Sequence, residues 1–152
     1  MSLNDLLAAQ AVLPTLRARN KKQVLQELAA RAAEDCGRSE REIFETLLQR
    51  ERLGSTGIGR GVAIPHGKLA KLDHLVGLFA RLEKPIEFEA LDGEPVDLIF
   101  LLLAPEGAGA DHLKALARIA RLLRDENVAE QLRAARGETA LRALLTERPA
   151  AA

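Results

Sequence analysis

The sequence predicts an α/β domain: a mixed β-sheet flanked by helices on both faces. Three observations carry that prediction. Segments with helical spacing and recognisable caps alternate with short apolar runs. The run at 96–103, Val-Asp-Leu-Ile-Phe-Leu-Leu-Leu, is almost unbroken in apolar residues, as expected of a central strand covered on both faces. No long linker or internal repeat interrupts the 152 residues, so 1–148 reads as one domain and 149–152 as a frayed tail.

Residues 2–9 read as a short helix with Asn4 and Asp5 near its start, and 11–16 as an extended segment. Pro14 makes any strand there an edge, because proline has no N–H for a ladder. Asn20 is a good N-cap for a helix through Cys36, with Val24, Leu25, Leu28, Ala29 and Ala32 on one face. Gly37 closes it. Ser39 with Glu42 forms a capping box, and the helix it opens buries Ile43, Phe44, Leu47 and Leu48 before ending near Leu53-Gly54. Arg50 and Arg52 then face the negative end of its dipole.

A glycine-rich loop follows, then a strand at 62–64 that Pro65 ends, so that His66 is presented at a strand end between Pro65 and Gly67. Residues 74–82 read as a strand, Lys84-Pro85 as a turn, 86–88 as a brief strand and 91–95 as a loop. After the 96–103 strand, 105–110 is a loop reaching an N-cap at Asp111. The next helix turns Leu113, Leu116, Ala117, Ile119, Ala120 and Leu123 inward, and two short helices at 127–136 and 138–146 follow.

Composition narrows the function. Lys plus Arg equals Asp plus Glu at 22 each, so no net field draws the chain to nucleic acid. Trp and Tyr are absent and Phe occurs four times, which leaves no stacking platform for bases and disfavours direct carbohydrate binding. Cys36, the single cysteine, reads as a small buried hydrophobe. The N-terminus shows no signal-peptide pattern, and the longest apolar run, 98–104, falls far below the roughly 20 residues needed to cross a bilayer. A cytoplasmic protein without membrane insertion is expected.

The stretch 50–68, Arg-Glu-Arg-Leu-Gly-Ser-Thr-Gly-Ile-Gly-Arg-Gly-Val-Ala-Ile-Pro-His-Gly-Lys, concentrates the chemistry. It is no nucleotide motif. A P-loop needs glycine where Val62 stands and Ser or Thr in place of Leu69; a dinucleotide fingerprint from Gly57 needs a third glycine, again at Val62. A histidine can instead attack phosphorus without metal or organic cofactor, if one ring nitrogen is free and the other held by an acceptor. It then needs cations or backbone donors around the moving phosphoryl group. His66, Ser55, Thr56, the glycine amides and Arg50 offer those parts, although a lone loop histidine is often inert. His112, next to the Asp111 cap, is read either as a helper held neutral by the positive helix end or as a solvated first-turn residue. His74 reads as surface. No paired histidine spacing supports a zinc site.

With these residues in view, the chain resembles phosphotransferase-system IIA components of the mannitol/fructose type. The resemblance rests on Arg50-Glu51, Gly54-Ser55-Thr56-Gly57-Ile58-Gly59 and Gly61-Val62-Ala63-Ile64-Pro65-His66-Gly67-Lys68. It continues through Leu101-Leu102-Leu103-Ala104-Pro105 and Asp111-His112-Leu113-Lys114, and covers nearly the whole chain. Gly67-Lys68 after the histidine is most similar to the nitrogen-regulatory branch. The resemblance implies the mannitol-type IIA fold, a phosphoryl acceptor at His66, a second active-site histidine at His112 and a supporting Arg50. Ser55, Thr56, Gly57 and Gly67 then bind the phosphoryl group or support its loop. It implies an HPr-like phosphocarrier protein as donor and regulatory target proteins as further partners, with no cofactor and no metal. Arg60 departs from the family pattern, where the slot is usually Asn, small or acidic, and is expected to add a cation beside the site.

Three functions fit these residues: a phosphoryl carrier with a nitrogen- or potassium-type regulatory role, a sugar-transport IIA that passes the group to a separate IIB, and a regulator that binds partners without carrying phosphate. The last needs no proximity between His66 and His112. A metallohydrolase comes behind all three.

Overall fold

A computed structural model describes residues 3–146. Among these, six strands form one mixed sheet: β1 (Leu7–Leu16), β2 (Gly57–Gly59), β3 (Val62–Ala63), β4 (His66–Leu69), β5 (Val76–Ile86) and β6 (Val96–Pro105). The order is β1-β5-β6-β3-β2, with β4 also paired to β6. β1 runs parallel to β5, β5 antiparallel to β6, and both β3 and β4 parallel to β6. The helices are α1 (Leu3–Leu6), α2 (Lys21–Cys36), α3 (Glu40–Leu53), α4 (Ala110–Arg124), α5 (Glu126–Ala134) and α6 (Glu138–Thr146).

The 96–103 run owes its near-continuous apolarity to helices on both sides. Period-two alternation sends Ile99, Leu101 and Leu103 into a layer with α2 and α3, and Leu98, Phe100 and Leu102 into a layer with α1 and α4–α6. All six side chains are fully buried. The expected mixed sheet with two helical layers is therefore the observed architecture.

The local signals that define α2 and α3 hold. The Asn20 side chain accepts from Gln23 N at 2.9 Å, the Ser39 hydroxyl accepts from Glu42 N at 3.1 Å, and Gly37 closes α2 with φ 70°. Several boundaries move. The first helix stops at Leu6 and the edge strand takes over at Leu7, because pairing with β5 gives those backbone groups partners. β5 continues through Lys84-Pro85, with an irregular register between Arg81 and Ile86 accommodating the proline. α4 begins at Ala110 with Gly109 as its cap, so Asp111 is not the N-cap but lies in the first turn. The helix consequently buries His112, Ala115, Ile119 and Leu123, leaving Leu113 69% exposed and Ala117 exposed. Cys36 is half-buried at the edge of the core rather than inside it. The tail expected at 149–152 lies outside the described residues.

Candidate phosphoryl-acceptor site

The glycine-rich stretch is not a loop but an antiparallel hairpin of β2 and β3, and His66 does not sit at a free strand end. It opens β4, opposite Leu102 of β6, after Pro65 breaks the edge between β3 and β4. Alternation decides where its ring goes. Val62 and Ile64 belong to the layer shared with α4, and His66 follows them with the same parity, toward His112. Gly67 points the other way, against α3: a Cβ there would lie 2.6 Å from Thr46 Cγ2.

Both ring nitrogens of His66 have partners. Nδ1 lies 2.8 Å from the Ile64 carbonyl oxygen, and the Arg50 Nε–H donates to Nε2 at 3.3 Å. A carbonyl only accepts and a guanidinium only donates, so the tautomer assigned from these partners carries its proton on Nδ1 and a lone pair on Nε2. Arg50 is itself anchored, donating from Nη1 to the Gly54 carbonyl at 2.9 Å. Burial pushes the His66 pKa down; the Ile64 bond works against this, Arg50 adds to it, and Glu51 opposes it. The ring is neutral at pH 7.

His112 stands in the first turn of α4 with its ring centroid 5.6 Å from that of His66 and the two planes 66° apart. Burial, followed by the neighbouring His66 and Lys68, lowers its pKa. Its Nε2 is buried and makes no hydrogen bond among the described residues. A buried polar nitrogen without a partner is costly, and this one belongs to a ring beside His66. Of the two readings of His112, the solvated one is therefore excluded. Among the described residues, two of the three large exposed apolar side chains lie near these residues in sequence: Leu53, 84% exposed, three residues after Arg50, and Leu113, next to His112.

Ser55 and Thr56 turn away from this space. The Ser55 hydroxyl donates to the Phe88 carbonyl at 2.8 Å and accepts from Gly57 N at 3.0 Å. Thr56 is buried and gives both its N–H, at 3.1 Å, and its hydroxyl to the Glu51 carboxylate. Both hydroxyls and the Thr56 N–H are thus engaged within the protein, in support of the segment that joins α3 to β2. The Gly57 amide is likewise engaged, and the glycine is required because a Cβ would lie 2.8 Å from Ala90 Cβ.

Sequence reasoning passed over Glu51 and Lys21. Glu51 is 7% exposed, and Lys21 Nζ lies 2.8 Å from its Oε2, over the ring of Phe88 at 4.9 Å from the centroid. Breaking a buried pair of this kind costs on the order of 3–5 kcal/mol. The signal was present: Ile43, Leu47 and Glu51 are spaced i, i+4, i+8, so the buried stripe of α3 ends in a carboxylate.

Arg60 is not beside the acceptor. Its N–H donates to Asp92 Oδ2 at 2.8 Å, its guanidinium reaches Glu126 at 2.6 Å, and its φ is 57° at the tip of the hairpin. Val62 faces Leu98 while His66 faces Leu102, four residues further along β6, a separation of roughly 13 Å. His74 is on the surface, next to Asp73, as expected. Among the described residues, no helix is long and apolar enough to cross a membrane.

The profile of the family described as "Phosphoenolpyruvate-dependent sugar phosphotransferase system, EIIA 2" matches residues 5–148. A nitrogen regulatory protein of Bradyrhizobium diazoefficiens is 64% identical over 152 residues, covering 100% of this chain and 99% of that protein. The crystal structure of the nitrogen regulatory protein IIA-Ntr from Neisseria meningitidis superposes with a TM-score of 0.91 at 36% identity, covering 95% of this chain and 99% of that one. The IIA mannitol enzyme of Escherichia coli, in its complex with phosphorylated IIB, shares the fold at 18% identity, with a TM-score of 0.78 and coverage of 94% and 100%.

Proposed function

Since the chain belongs to the EIIA 2 family of the phosphoenolpyruvate-dependent sugar phosphotransferase system, we propose that His66 accepts a phosphoryl group from a phosphorylated HPr-like carrier and that the phosphorylation state regulates other proteins in the cytoplasm. One observation carries the reading. The Ile64 carbonyl and Arg50 hold the His66 ring in the tautomer whose Nε2 lone pair is available, 5.6 Å between centroids from a histidine with an unpartnered buried nitrogen. The regulatory branch is supported by the nitrogen regulatory relatives.

The chemistry follows from that tautomer. The Nε2 lone pair attacks phosphorus in line with the donor's P–N bond, and the electron pair of that bond returns to the donor's ring nitrogen. His66 keeps its Nδ1 proton, so the phosphorylated ring becomes cationic and the Ile64 carbonyl faces that N–H. The Arg50 guanidinium exchanges its bond to Nε2 for the incoming equatorial oxygens, and His112 Nε2–H donates to another. Leu53 and Leu113 provide apolar contact for the protein that delivers or reads the group. Phosphorylation then replaces a neutral ring by a dianionic phosphoryl group on a cationic ring, a net gain of one negative charge at the centre of that surface.

Incubation with the upstream phosphotransferase enzymes and labelled phosphoenolpyruvate tests the reading. An acid-labile label is expected on the wild type and not on His66→Ala. A label retained by that variant, or none on the wild type, overturns it. Adding a purified IIB protein in the same experiment separates the transport role from the regulatory one, since only the former expects onward transfer.

A further inference from the structure

We propose that Glu51 is a positioning residue for the His66 imidazole, with Lys21 as its counter-ion; the proposal rests on His66 being the phosphoryl acceptor. The connection is a chain of hydrogen bonds through the backbones of two residues, Thr56 and Ile64. Lys21 Nζ lies 2.8 Å from Glu51 Oε2, and Glu51 takes the Thr56 N–H and hydroxyl. The Thr56 carbonyl accepts the Ile64 N–H at 3.0 Å, and the Ile64 carbonyl accepts the His66 Nδ1–H at 2.8 Å. Ile64 is thus held at both ends of its backbone. Where its carbonyl points decides which ring nitrogen carries the proton.

The same carboxylate acts on the other side of the ring. Glu51 is the neighbour of Arg50 in the last turn of α3, so fixing its side chain between α2 and residue 56 fixes the turn from which Arg50 reaches Nε2. The cluster closes on itself. Ser55 bonds the Phe88 carbonyl, and the Phe88 ring lies beneath the Lys21 ammonium. The carboxylate charge also favours a proton on His66, against burial and Arg50. A glutamate serving packing alone needs neither the lysine nor the link to Ile64.

Glu51→Gln keeps the shape and one acceptor for Thr56 but removes the charge. Long-range ¹⁵N correlation spectra of the unphosphorylated wild type are expected to show a single Nδ1–H tautomer of His66. In Glu51→Gln a mixture should appear, with kcat for transfer from the carrier lowered roughly tenfold or more and KM for the carrier little changed. Lys21→Met should behave similarly, and Lys21→Met with Glu51→Gln should recover part of the loss by restoring neutrality. If Glu51→Gln does not fold, Thr56→Val, which deletes one hydroxyl bond to the carboxylate, is expected to shift the tautomer the same way by less. A folded variant with the wild-type tautomer and rate overturns the proposal. The tautomer is read without a donor, so a wild type that takes no label defeats the acceptor reading alone, and the spectra still decide whether Glu51 orients the ring.

Discussion

Replacing Gly67 by alanine places one methyl group between the acceptor strand and α3, and its effect can be worked from the contacts. The new Cβ would lie 2.6 Å from Thr46 Cγ2, whereas ordinary carbon contacts fall near ~3.5–4.0 Å, so about 1 Å of clearance must be found. Thr46 cannot easily turn its methyl aside, since its hydroxyl donates to the Glu42 carbonyl at 2.8 Å and the rotation sacrifices that bond. Backbone strain does not enter, because the φ of Gly67 is not positive. Overpacking by one methyl costs about 1–3 kcal/mol. For a chain of this size that corresponds to a fall in Tm of roughly 2–12 °C. The functional effect should be larger: β4 carries His66 while α3 carries Arg50, and a misplacement of about 1 Å between reacting groups can cost roughly 100-fold in rate. Thr46→Ser is the decisive companion. It keeps the hydroxyl bond and deletes Cγ2, after which the nearest Thr46 atom is Cβ at 3.8 Å, an ordinary contact. Thermal unfolding and the rate of phosphoryl transfer should therefore both recover in Gly67→Ala/Thr46→Ser. A double variant as impaired as Gly67→Ala alone would refute the steric account.

Two further outcomes follow from the same contacts. His66 and His112 both titrate below the ordinary value because of burial, so transfer to His66 should hold steady as the pH falls through 6.5 and decline only at lower pH. Stability has the corresponding sign: the unfolded chain takes up these protons first, so stability is full above about pH 6.5 and is lost below it. Urea midpoints at pH 7.5 and 5.5 should show a smaller acid loss in His66→Asn/His112→Asn. Gly61→Ala should separate stability from function. Its Cβ would lie 2.5 Å from Arg133 Nη2, at φ +81°, disturbing the Arg133–Asp97 pair and adding about 1–2 kcal/mol of left-handed strain. The site is several residues away along β6, so Tm should drop while the transfer rate stays near wild type.

What can be read from the chain is what the chain encodes locally. Asn20, Gly37 and Ser39 act on backbone groups within four residues, so the ends of α2 and the start of α3 are legible without any knowledge of the fold. The 96–103 run is legible because two-sided burial leaves its mark in one segment. β2 and β4 are not: the glycines of β2 and its two-residue partner β3 carry no periodicity, and the pairing of β3 and β4 is supplied by β6 from more than thirty residues away. On α4 the expected Ile119 and Leu123 are buried and Leu116 and Ala120 pack against the core, but His112 and Ala115 take the buried positions expected of Leu113 and Ala117, since a histidine's apolar body can fill a core slot. Arg50, His66 and His112 stand out by residue type and resemblance. That they meet depends on strand parity and the placement of α3 and α4, which are tertiary facts. Arg60 lies away from the site for the same reason: nearness in sequence to His66 becomes distance along a strand.

The attachment of His66 to β6 has a kinetic meaning. Residues 98–103 are wholly buried and paired with β5 throughout and with β3 or β4 at 98, 99, 102 and 103, and amides of that kind are expected to exchange with solvent only when the whole domain opens. His66 is therefore mounted beside the segment expected to exchange most slowly rather than on one that must become ordered at each encounter. Deuterium uptake at 98–103 should report global stability and remain the same before and after phosphorylation. If His66 accepts the phosphoryl group as proposed, its imidazole should meet the donor already set.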